Sequence, residues 1–96
     1  MGEILKTFVE DASTQMQAIK DAVASRDAPT IERSAHAYKS AAGTVRAHSL
    51  AEVLRRAEMA AKAGDVSAAC GLLADITQAH EQVVRYLEAA GQRGAQ

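Results

Sequence analysis

The sequence predicts an all-α protein, an antiparallel up-down-up-down four-helix bundle, and three features predict it. Alanine, the strongest helix former, supplies 22 of the 96 residues. Apolar residues recur at three- and four-residue steps in four separate segments. The connections between those segments are short, which favours neighbours running in opposite directions.

The first helix is expected over about Gly2 to Arg26, where Leu5, Phe8, Val9, Ala12, Met16, Ile19 and Val23 form one stripe. Asp27-Ala28-Pro29-Thr30 ends it, with proline suited to the first turn of the next helix. That second helix, about Pro29 to Val45, repeats Ile31, Ala35, Tyr38, Ala42 and Val45. A short connection over Arg46 to Ser49 follows, with Ser49 and Glu52 spaced as a capping box. The third helix carries Leu50, Val53, Leu54, Ala57 and Ala61, stops at Gly64, and leaves Asp65 to cap its successor. The fourth, Val66 to about Ala90, carries Ala69, Leu72, Leu73, Ile76, His80, Val83, Val84 and Leu87. Residues 1–91 thus form one domain, and 92–96 read as a frayed polar tail.

Composition narrows the function. A net charge of −1 with interspersed signs offers neither a nucleic-acid surface nor a basic membrane patch. No apolar run reaches the roughly 20 residues of a membrane span, and no signal peptide opens the chain. A lone cysteine, Cys70, sits among apolar residues and fits a packed thiol in a reducing compartment. A soluble cytoplasmic protein is expected. Phosphate-cradling glycine loops, nucleophile elbows and paired metal-protease histidines are all missing, so the chain is not read as an enzyme.

The second helix holds the candidate site. Drawn as a wheel with Ile31 at zero, its core residues fall within about 40°. Lys39 then lies at about 80°, Gly43 at about 120°, His36 at about 140° and Ser40 at about 180°. His36 therefore points away from the core. A neutral imidazole, with an ordinary pKa of about 6.5, has a lone pair that can attack phosphorus. Lys39 one turn on can balance the charge of a phosphoryl group. Gly43 leaves the surface bare, and Ala37, Ser40 and Ala41 keep it low.

The stretch "AHAYKSAAGTV" resembles the signature of histidine-containing phosphotransfer (HPt) domains, roughly A-H-x-L-K-G/S followed by small residues. "ILKTFVEDASTQMQAIKDAVASRDAPTIERSAHAYKS" is similar to that family's first long helix and the run into its active histidine. "HSLAEVLRRAEMAAKAGD" is similar to its third helix. The resemblance implies a four-helix bundle that takes a phosphoryl group from one receiver aspartate and passes it to another. It implies His36 as phosphoacceptor, Lys39 as electrostatic partner, and Ala37, Ser40, Gly43 and Arg46 on the receiver-docking surface. Response-regulator receiver domains and a hybrid histidine kinase would be the partners, of a chain that is itself a monomer. No cofactor would be bound by this chain, and Mg²⁺ would sit on the receiver.

Two positions depart from the family pattern. Ser40 stands where glycine is usual, and Arg46 where glycine often follows ten residues after the histidine. The family's short extra N-terminal helix has no counterpart before the first long helix, which fits a minimal domain or a piece of a longer protein.

Other readings carry less. Glu32, one turn before His36, reads as a solvated first-turn glutamate rather than an orienting carboxylate. His80 falls on the fourth helix's apolar seam and reads as a half-buried, hydrogen-bonded core residue. His48 has no evident partner, and the Glu-x-x-His pairs of a bundle metal site are missing. An adaptor that docks receivers without carrying phosphate, or a structural oligomerisation bundle, are the alternatives.

Overall fold

The computed structural model describes the backbone of residues 2–94 and the side chains of residues 8–89. Five helices follow one another: α1 (Gly2–Ser25), α2 (Ala28–Thr44), α3 (His48–Lys62), α4 (Val66–Gly71) and α5 (Leu73–Gly94). They form one bundle, 48 × 19 × 19 Å, without a strand among the described residues. No helix there is long and apolar enough to cross a membrane.

The buried stripes follow the periodicity of the sequence. Phe8, Ala12, Met16 and Ile19 of α1 meet Ala35, Tyr38 and Ala42 of α2, Leu50, Leu54 and Ala57 of α3, and Ile76, Ala79 and Leu87 of α5. A smaller cluster of Ala22, Ile31, Ala61 and Ala69 closes one end. Leu5, expected on the α1 stripe, has its side chain outside the described residues. The contact between α2 and α3 is the most extensive in the bundle. Each fully buried leucine or isoleucine contributes about 1.5–3 kcal/mol, and small alanines let the axes approach.

The expected fourth helix is two. Gly71, a poor helix former, precedes a break at Leu72, whose amide bonds back to Ala69 O at 3.2 Å rather than one residue further. The break frees α4 to place Ala69 in the smaller cluster while α5 packs Ile76 in the main one. At its far end α5 continues to Gly94, past the expected boundary at 91; residues 95 and 96 lie outside the described residues.

Three connections share one geometry. After α1, Arg26 N–H bonds Val23 O and Asp27 N–H bonds Ala22 O. After α2, Arg46 bonds Gly43 and Ala47 bonds Ala42; after α3, Gly64 bonds Ala61 and Asp65 bonds Ala60. These are Schellman caps, whose turning residue must be left-handed. Gly64 takes φ 81° there, but Arg26 takes φ 52° and Arg46 φ 60°. Arg46 thus adopts the conformation glycine would supply, so the turn is kept without the glycine. Because it turns so tightly, α3 starts at His48, earlier than expected.

Ser49 therefore lies inside the helix, and the expected capping box with Glu52 does not form: Ala47 holds the cap position without a side-chain bond. Glu52 instead pairs with Arg55 at 2.7 Å and Arg56 at 3.2 Å. Asp65 caps as expected, accepting from Ala68 N at 3.0 Å, and Asp27 caps α2 in the same way, accepting from Thr30 N at 3.4 Å.

One polar pair joins α2 to α5, Tyr38 fully buried and His80 half-buried. The Tyr38 hydroxyl donates to His80 Nδ1, and the rings stand edge to face at 5.8 Å. Burial pushes the Tyr38 phenol up and His80 down, the latter aided by Lys20 and opposed by Glu81. A neutral acceptor ring and a protonated phenol suit each other. Cys70 is half-buried, its Sγ 3.8 Å from Val23 O.

Arg46→Gly relieves the left-handed penalty at the cost of a floppier unfolded chain, a net gain of about 0.5–1 kcal/mol. A calorimetric melt is expected to shift upward by roughly 2–8 °C. For His80, the folded ring takes up a proton less readily than the unfolded one. Its contribution is therefore intact above the unfolded value of about 6.5 and is lost as pH falls toward the folded value. Urea titrations at pH 7.5 and 5.5 are expected to show lower stability at 5.5, with a smaller drop in His80→Gln.

Candidate functional site

The site begins with how α2 divides its surface. Ile31, Ala35, Tyr38 and Ala42 are all essentially inaccessible, so the helix is pinned by one narrow face. Everything about 100° or more away must then face solvent. His36, Ala37, Ser40 and Gly43 do, and Arg46 is exposed beyond the helix end. The His36 side chain is 61% exposed and that of Lys39 29%. A Cβ built on Gly43 meets nothing within 4 Å, so no packing inside this chain asks for the glycine. Ser40 contributes its carbonyl to Thr44 Oγ1 at 3.2 Å, leaving its own hydroxyl at the surface.

A residue that the sequence did not single out completes the arrangement. Glu58 of α3 reaches across the seam, with Oε2 3.0 Å from His36 Nδ1 and Oε1 2.7 Å from Lys39 Nζ. Its side chain is only 16% exposed. The Lys39 ammonium, then the His36 ring, hold the Glu58 carboxyl below the usual carboxylate range, although burial pushes the other way. Glu58 is thus an anion at neutral pH and can only accept hydrogen bonds. Nδ1 must donate, which fixes the tautomer and leaves the Nε2 lone pair free. The structure brings His36 and Lys39 together through this one carboxylate.

Glu32, the acid weighed from the sequence, makes no hydrogen bond or ion pair with His36 among the described residues. A signal for Glu58 does exist. The buried positions of α2 and α3 run in mirror order about Arg46: Ala42 with Leu50, Tyr38 with Leu54, Ala35 with Ala57, Ile31 with Ala61. Glu58 follows Ala57 as His36 follows Ala35, so both lie level on one edge of the seam. His48 is exposed at the first position of α3. Among the described residues, no three His, Cys, Asp or Glu side chains are grouped to hold a metal ion.

Comparison with known proteins bears on this geometry. The model of the Hpt domain family matches residues 3–89. The crystal structure of histidine-containing phosphotransfer protein B from Pseudomonas aeruginosa PAO1 is similar in fold, with a TM-score of 0.92 and 24% sequence identity. The likeness covers 96% of this chain and 80% of that one. No curated protein sequence matches the chain.

With Glu58 accepting from Nδ1, ¹⁵N-edited NMR at pH 8 is expected to find the His36 ring mainly as the Nδ1–H tautomer. Glu58→Ala is expected to return it to the Nε2–H form usual in water. An unchanged tautomer in that variant would show the carboxylate to be a bystander.

Proposed function

The chain belongs to the Hpt domain family, the histidine phosphotransfer modules of phosphorelays, and we propose that it carries a phosphoryl group on His36 Nε2 between receiver aspartates. One observation carries this reading: an outward-facing imidazole whose Nδ1 is engaged by Glu58 while Lys39 stands one turn on. That combination has a nucleophilic nitrogen, a fixed ring and a cation, all on a bare surface.

In the proposed step a receiver's aspartyl phosphate docks over α2. The Nε2 lone pair attacks phosphorus in line, the P–O bond to the aspartate breaks, and the aspartate carboxylate leaves. Nδ1 keeps its proton throughout, so this chain needs no general base. Positive charge that develops on the ring faces Glu58, and negative charge on the phosphoryl group faces Lys39. The reverse step delivers the group to a second receiver aspartate. Positioning and charge balance dominate such a transfer, which suits a carrier with no nucleotide site.

The rest of the reading follows from the partner. Mg²⁺ and the acidic residues that hold it belong to the receiver, and this chain binds no cofactor. Ala37, Ser40 and Gly43 form the low floor on which the receiver sits, with Arg46 adding positive charge at its edge. The helices run up-down-up-down, α4 and α5 together making the fourth, as the mirror order of α2 and α3 supports. The carrier works as a monomer in the cytoplasm, with a hybrid histidine kinase among its donors.

Incubation with phosphoramidate is expected to add one acid-labile phosphoryl group to the wild-type chain, read by intact mass, and none to His36→Gln. Lys39→Ala is expected to slow uptake by about tenfold, the worth of one charge-assisted contact of roughly 1.4 kcal/mol. Gly43→Ala separates folding from docking. It is expected to raise stability by about 0.5–1 kcal/mol through helix propensity, while slowing transfer from a phosphorylated receiver. Unchanged or faster transfer in that variant would exclude Gly43 from the docking floor.

A further inference from the structure

We infer that Glu58 keeps the phosphorylated ring of His36 protonated on Nδ1 at and above neutral pH, so that the carried group stays in its reactive, short-lived form. The inference rests on the phosphocarrier reading and concerns what happens after the group arrives.

Attack by Nε2 on phosphorus yields a ring with phosphorus on Nε2 and a proton still on Nδ1, a phosphoimidazolium. In water such a ring sheds that proton as pH rises. The neutral product holds its P–N bond firmly, because the leaving nitrogen would depart as an imidazolate. Protonated, the same ring departs as neutral imidazole, so the P–N bond breaks readily to a receiver carboxylate or to water.

Here Nδ1 has a fixed partner on α3. It faces Glu58 Oε2 at 3.0 Å, and the other carboxylate oxygen is occupied by Lys39 Nζ at 2.7 Å. Losing the proton would aim a nitrogen lone pair at a carboxylate oxygen that has no hydrogen to offer. The arrangement therefore penalises the neutral ring and favours the charged one. The phosphoryl dianion on Nε2 adds to the same preference. Lys39 opposes it, from the far oxygen and from a position where it also faces the incoming phosphoryl group. Those two side chains are the charged groups that contact or pair around the ring among the described residues.

A glutamine in the same place would behave differently. Its amide can turn, offering oxygen to Nδ1–H or N–H to a bare Nδ1, and so tolerates both forms. Glu58→Gln preserves shape while removing the bias, which makes it the decisive variant.

The test uses the full chain, ¹⁵N-labelled in histidine and phosphorylated with phosphoramidate. The Nδ1 shift of phospho-His36 is titrated by NMR between pH 6 and 10, and decay of the phosphorylated mass is followed at pH 8. The wild-type ring is expected to lose its proton at least about one pH unit higher than in Glu58→Gln. It is also expected to lose its phosphoryl group several-fold faster at pH 8. The wild-type chain unfolded in urea, where Glu58 no longer faces the ring, provides a reference that does not depend on how the variant folds. A wild-type titration coinciding with both references, or equal decay, overturns the inference while leaving the carrier reading intact. No phosphoryl uptake at His36 overturns both.

Discussion

α2 is held by a face one residue wide at each turn, and that constraint governs both the core and the site. Ile31, Ala35, Tyr38 and Ala42 are sealed against their neighbours, and two of the four are alanines. Small side chains bring α3 close, and closeness lets a glutamate reach a histidine across the seam with its stem buried. Bulkier residues at 35 or 57 would push the axes apart and lengthen the Glu58 contacts. The contact at Nδ1 is thus a product of core packing. It is not a local property of α2.

Tyr38 has a second part in this. As the largest fully buried side chain in the bundle, it fills space that alanines leave and brings a hydroxyl that must be satisfied. His80 of α5 accepts from it. The helix that displays His36 on one side is therefore fixed in rotation by a hydrogen bond on the other, two residues away. A surface histidine needs such an anchor if its ring is to meet an incoming phosphorus in line.

Most of this was legible in the sequence, for identifiable reasons. Helix stripes follow a period, so spacing alone places Ala12, Met16, Ile19, Tyr38, Leu54 and Ile76 inside, where they are buried. Asp65 is readable as a cap because it precedes a helix whose third amide needs an acceptor, a signal that Asp27 also carries, but within a stretch that reads only as a helix break. Three features escaped. The tight turn at Arg46 hid behind a residue with little liking for φ 60°; the bundle's packing overrides that preference, and the expected capping box at Ser49 fell with it. The break at Leu72 was lost inside a pattern that stays apolar on both sides. Glu58 escaped because its importance is a relation between two helices, visible only once their mirror order about Arg46 is known.

That mirror order bears on how the molecule comes into being. His36, Lys39 and Glu58 all belong to one helical hairpin, α2 and α3, joined by three residues. Contacts so near in sequence close small loops and form early, since little chain entropy stands against them. The three side chains can therefore come together as soon as α2 and α3 pair, without waiting for α5. During synthesis, that hairpin is complete once Lys62 has been added, before any of α5 has been made. The nascent polypeptide then already presents His36, Lys39 and Glu58 side by side before α5 exists.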